Sequence, residues 1–91
     1  MIIVCQAYTI VNMVKRRRGT IVPKLGMKIK FERLKRNLSQ EDLALSAGIT
    51  PTGLSKIENG SVSPTIDSVE FIAEALGMEF LELIDVSKVE L

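Results

Sequence analysis

The sequence predicts an all-α protein. A compact domain of five short helices spans residues 26–85, preceded by an extension, residues 1–25, and followed by a tail, residues 86–91. Three observations predict this. From Gly26 onward, apolar residues recur at three- and four-residue intervals, the spacing of one face of an α-helix. The helix-start residues Ser39, Thr50 and Thr65 alternate with the stop signals Gly48, Asn59-Gly60 and Gly77 at short intervals. The composition, 46% apolar and 4% aromatic over 91 residues, suits one small, mostly helical module. A core of this size supplies little net stability, so pairing with a second copy would help it.

Each element has its own signals. Thr20–Leu25 reads as a linker around Pro23. Met27, Phe31, Leu34 and Leu38 then fall at i, i+4, i+7 and i+11, one apolar stripe of a first helix that Asn37-Leu38 closes. Ser39 followed by Asp42 has the form of a capping box opening a second helix, with Leu43, Ala44 and Ala47 inward and Gly48 as its left-handed stop. Thr50 is the next N-cap. Pro51 sits at the first helical position, where a missing N–H costs nothing, so it starts a third helix rather than breaking one. Asn59-Gly60 ends it, and "SVSP" is a loop. Ile66, Val69, Ile72, Ala73 and Leu76 form the inner face of a fourth helix behind the cap Thr65. Phe80, Leu81, Leu83 and Ile84 supply a short fifth.

The formal charge of +1 conceals an asymmetry. Residues 15–36 hold ten of the twelve Lys and Arg with one acid, Glu32, whereas residues 37–91 hold two bases and ten acids. The basic stretch 28–36 is either an ordinary solvated face or a phosphate-contacting flank. Glu70, Glu74, Glu79 and Glu82 are expected in solvent, and Glu58 is expected to pair with a base of the first helix such as Arg33. Residues 1–14 carry no charge and eleven apolar side chains. That is short of the ~20 residues of a bilayer span, and the basic run Lys15–Arg18 follows it, whereas a secretory signal puts its positive charge first. Two readings remain: a β-branched strand arm that pairs with something, or upstream sequence with Met27 opening the working domain.

Several chemistries are excluded at this level. There is no His and a single cysteine, Cys5, which fits a reducing cytoplasm. No carboxylate spacing resembles a metal loop, no nucleophile–base pair can be assembled, and no phosphate-binding glycine loop occurs. Neither enzyme, metal nor cofactor is expected.

Residues 40–59 form a unit. Two short helices joined by "AGI" must cross steeply with their backbones close. Ala44 keeps them close, Gly48 makes the turn, and Ile49, Leu54 and Ile57 fill the wedge; this is the pattern of a helix-turn-helix. With those residues, the "IENG" end and the following "SPTIDSVEFIAEALG", the chain resembles the Cro/repressor-type (Xre-like) helix-turn-helix regulators over about Met27 to Ile84. The resemblance implies a five-helix domain whose helix 50–59 enters the major groove of double-stranded DNA. It implies phosphate contacts at Gln40 and Asn59, supported by Ser39 at a helix start. Groove-facing positions are Thr50, Pro51, Thr52, Ser55 and Lys56. The sequence departs from the family at Pro51 and Gly53, where side chains that read bases are common. Gly53 either lets the backbone sit deep against DNA or has drifted on an exposed face. The expected function is a sequence-specific transcriptional regulator, a cytoplasmic homodimer on a two-fold operator, with a toxin or polymerase as further protein partner. An antitoxin, a restriction-modification controller and a protein-interaction module that keeps the fold are the alternatives.

Overall fold

The computed structural model describes residues 19–90. Over these residues the chain forms five α-helices and no strand: α1 (Ile21–Lys35), α2 (Gln40–Ala47), α3 (Pro51–Glu58), α4 (Ile66–Leu76) and α5 (Phe80–Ile84). The N-terminal arm, Cys5 and the basic run Lys15–Arg18 lie outside the described residues. Among the described residues no helix is long and apolar enough to cross a membrane, and no cluster of His, Cys, Asp or Glu is placed to hold a metal ion.

The predicted caps form. Ser39 Oγ accepts the backbone N–H of Asp42 at 2.9 Å while Asp42 Oδ2 accepts that of Ser39 at 3.2 Å, a reciprocal capping box. Thr50 and Thr65 cap α3 and α4 through the N–H groups of Gly53 and Ser68. Gly48 ends α2 with φ 75° and Gly77 ends α4 with φ 73°, a region where a Cβ is strained.

The core joins all five helices. Leu43, Ala44 and Ala47 of α2 pack against Val69, Ile72, Ala73 and Leu76 of α4, with Leu54 and Ile57 of α3 between them and α1. Leu83 of α5 and Val86, just past its end, complete the cluster. Ile49 and Leu38 are half-buried against it. Not every apolar residue of α4 and α5 turns inward. Ile66, at the first position of α4, and Leu81 of α5 point outward.

The first helix differs most from expectation. Thr20–Leu25 is not a linker, because α1 already begins at Ile21. Pro23 is its third residue, within the turn whose N–H groups have no helical acceptor; the first bond of the ladder runs from Lys24 N to Thr20 O at 3.1 Å. The apolar stripe is also different. Met27, Phe31 and Leu34 are exposed, Phe31 by 60%, while Leu25 and Ile29 lie in the core with Glu32 and Arg33 buried beside them.

The cause is Gly26. A Cβ there would stand 2.3 Å from the Ile57 carbonyl oxygen and 2.7 Å from that of Glu58. The backbone of α1 therefore meets the C-terminal end of α3 directly, which only a glycine face permits. Turning Gly26 inward carries Leu25, Ile29 and Arg33 inward with it and rotates the Met27 stripe away. A chain opening at Met27 would lack both Leu25 and this contact.

The basic residues of α1 are largely engaged within the fold. Lys28 Nζ donates to the carbonyl oxygens of Glu82 and Asp85, satisfying acceptors at the end of α5. Arg36 and Lys35 pair with Glu32 at 2.6 and 3.4 Å, and the hydrogen bond from Arg36 holds the Glu32 carboxyl below its usual range. Lys30 is exposed and carries no ion pair among the described residues, so the stretch is engaged within the fold in part and open to solvent in part.

Gly26→Ala should lower stability by about 1–3 kcal/mol, the cost of forcing packed backbones apart. The midpoint of urea unfolding should fall accordingly. An unchanged midpoint would mean that α1 and α3 do not touch as described.

Candidate nucleic-acid interface

The residues of α3 divide cleanly between two faces. Leu54, Ile57 and Glu58 are buried. Thr52, Ser55, Lys56 and Asn59 follow at spacings of three, one and three residues, so they share the opposite face. Thr52, Lys56 and Asn59 are exposed and Ser55 is half-buried. Thr50 and Pro51 stand exposed at the helix start. Among the described residues Lys56 carries no ion pair.

The two helix starts differ electrically. In α2 the capping box occupies Ser39, and Glu41 and Asp42 place negative charge in the first turn. That opposes an incoming phosphate in spite of the favourable helix dipole. In α3 no acid lies in the first turn. Thr50 Oγ1 takes the Gly53 N–H at 3.0 Å, Pro51 has none, and the Thr52 N–H precedes the first ladder bond, from Leu54 to Thr50. The N-terminus of α3 is therefore the better anion-facing end.

Gly53 is half-buried, and a Cβ there would meet only Thr50 Oγ1, at 3.0 Å, with no other element within 4 Å. Inside the protein a Cβ would crowd only the capping hydroxyl of Thr50, so the glycine leaves that cap unhindered and no other element is affected.

The inner end of α3 is held by a buried charged network. Arg33 of α1 donates to Glu58 through Nε at 2.7 Å and through Nη2 at 3.1 Å, a two-pronged pair with both side chains almost wholly buried. Arg33 Nη1 also donates to the Leu38 carbonyl at 2.8 Å. Gln40, at the first position of α2, donates through Nε2 to Glu58 Oε1 at 2.9 Å. One carboxylate thus ties α1, α2 and α3 together, and Arg33 adds the α1–α2 turn. The sequence points to the Arg33–Glu58 pair but not to Gln40 as its third member. The available signal was the spacing of Gln40 and Glu58 at the near ends of two helices forced to cross closely.

Asn59 is similarly committed in part. Its Oδ1 accepts the Ser61 N–H at 2.9 Å and the Ser61 hydroxyl, so the turn takes the acceptor and the amide N–H groups are what the side chain can offer outward. Six of the eight expected site residues, Thr50, Pro51, Thr52, Ser55, Lys56 and Asn59, line α3 and its two ends. Ser39 and Gln40 lie at the start of α2, where Gln40 turns inward to Glu58.

Residues 29–83 match the helix-turn-helix family. The control protein C.BamHI of Bacillus amyloliquefaciens is 39% identical over 61 residues, which is 66% of this chain and 75% of that protein. The restriction-modification controller protein C.AhdI of Aeromonas hydrophila superposes with a TM-score of 0.67 at 29% identity, over 68% of this chain and 94% of that one. The wild-type restriction-modification controller protein C.Esp1396I gives 0.67 at 33% identity, over 74% of this chain and 91% of that one.

Glu58→Leu would leave the Arg33 charge buried without its carboxylate. It should cost about 3–5 kcal/mol, and the Arg33→Met/Glu58→Leu double variant should recover most of the loss. Urea unfolding of the four proteins of this cycle measures it. Additive losses would show that the two side chains do not act as a pair.

Proposed function

The chain belongs to the Cro/repressor-type helix-turn-helix family of DNA-binding transcriptional regulators, and we propose that it reads a two-fold symmetric operator as a homodimer through the outer face of α3. The observation that carries this reading is the uncommitted surface of Thr52, Ser55 and Lys56 on a helix whose other face is anchored in the core. Thr52 and Ser55 hydroxyls can donate to or accept from base edges, and the Lys56 ammonium suits a guanine edge or a phosphate. Pro51 offers only apolar contact, to a thymine methyl. Gly53 lets the α3 backbone approach the groove wall.

Phosphates are met at the ends. The Thr50–Thr52 helix start presents a free N–H and a favourable dipole, and Asn59 presents its amide N–H groups. Ser39 and the second N–H of Gln40 are secondary contacts, weakened by the neighbouring Glu41 and Asp42. The exposed Leu81 of α5 supports a pairing face on that helix, with half-sites about one turn of DNA, ~34 Å, apart. The action is occupancy of a promoter in the cytoplasm, blocking or engaging polymerase, with no chemistry of its own.

The relatives favour a narrower reading. A control protein and two restriction-modification controllers stand among them, so the genes controlled are those of a restriction-modification system.

Selection of genomic DNA by the full-length protein tests both levels. Recovery of a short palindrome upstream of a restriction gene is the expected result. Recovery elsewhere would remove the narrower reading, and no recovery at low ionic strength would replace DNA binding with a protein-docking role. On the recovered site, Thr52→Ala and Ser55→Ala should each relax choice at one base pair, by about 1–3 kcal/mol of discrimination. Uniform weakening over all sequences would contradict that assignment.

A further inference from the structure

We propose that the apolar N-terminal segment, residues 1–14, docks on the chain's own surface, in a groove between α1 and the C-terminal stretch. The groove has a volume of ≈ 590 Å³. Met27 and Phe31 of α1, with Met78 and Val89, give its apolar lining. Glu32, Glu82, Asp85 and Glu90 line it with Lys28 and Lys88, a net negative charge. Met27 and Phe31 belong to the α1 stripe that Gly26 turns away from the core, so two large apolar side chains face a hollow without core partners.

Composition, charge and reach select the occupant. Residues 1–14 hold eleven apolar side chains and no charge, a stretch that gains by leaving water. Lys15–Arg18 follow it directly, opposite in sign to the net charge of the groove, whose four acids outnumber Lys28 and Lys88. The segment joins the helix that lines the site. Phe31 lies ten residues into α1, ~15 Å along the axis at 1.5 Å per residue. The five residues from Lys15 to Gly19 can span ~17 Å when extended. Folding back alongside α1 therefore brings Val14 and the residues before it to Met27 and Phe31, and sets the basic run beside the acids. A second copy of the chain would cover the apolar walls but supplies no reason for this charge match.

Cys5, the only cysteine of the chain, makes the proposal measurable in the full-length protein. The rate at which a water-soluble disulfide reagent modifies Cys5 is compared with that of a synthetic peptide of residues 1–14. Docking predicts a rate slower by about tenfold or more, as expected when reaction requires local opening, and unchanged as the protein is diluted. Phe31→Asp and, separately, Met27→Asp should return the rate to that of the peptide. Both positions are exposed, and unchanged far-ultraviolet circular dichroism confirms that each variant is folded. A peptide-like rate in the unaltered protein overturns the proposal. So does protection that fades on dilution, which assigns the groove to a second copy, or protection that both folded variants retain, which places the segment elsewhere.

Discussion

The bidentate pair between Arg33 and Glu58 is the contact on which the arrangement of the first three helices depends. A carboxylate and a guanidinium are costly to remove from water, and burial is tolerable only when geometry and further hydrogen bonds compensate. Here they do: Arg33 reaches the Leu38 carbonyl as well as Glu58, and Glu58 also accepts from Gln40. Among the described residues no buried side-chain polar atom is left without a partner. Apolar packing alone tolerates some sliding of one helix over another. A carboxylate shared by α1 and α2 at the last turn of α3 does not, so the network sets the register of α3 against its scaffold.

Gly26 acts on the same junction from the backbone side. It lets α1 approach the carbonyl groups that end α3, bringing Arg33 within reach of Glu58. The approach has a consequence on the far side of α1. The helix carries more apolar residues than one buried face can hold, and choosing the Leu25–Ile29 side leaves Met27, Phe31 and Leu34 on the surface. The residue that seats α3 thereby also leaves three large apolar side chains exposed on α1.

The outer face of α3 follows a different economy. Thr50 caps the helix and Asn59 closes the turn after it, each through its side-chain oxygen, and both residues are exposed. Residues with structural duties at the ends frame Thr52, Ser55 and Lys56, which have none within the described fold. A surface free of internal commitments, on an element held rigidly by its other side, is suited to reading a groove in which small displacements change which base edges are met.

Local chemistry was legible without the fold. Ser39 with Asp42, Thr50 with Pro51, Gly48, Thr65 and Gly77 mark helix ends because caps and left-handed turns depend on residues a few positions apart. The crossing of α2 and α3 was legible for the same reason, since Ala44, Gly48, Ile49, Leu54 and Ile57 span only fourteen positions. The outward set Thr52, Ser55 and Lys56 follows from helical spacing once Leu54 and Ile57 are placed inside. In α1 periodicity pointed to the wrong stripe, Met27–Phe31–Leu34, because Leu25–Ile29 satisfies the helical period equally well. Tertiary structure alone chose between them, through a backbone contact between Gly26 and residues more than thirty positions away. It likewise decided that Lys28 serves the end of α5 and that Gln40 turns inward to Glu58. Periodicity reports that a helix has a face; only the distant partner, by its shape and charge, determines which face is buried.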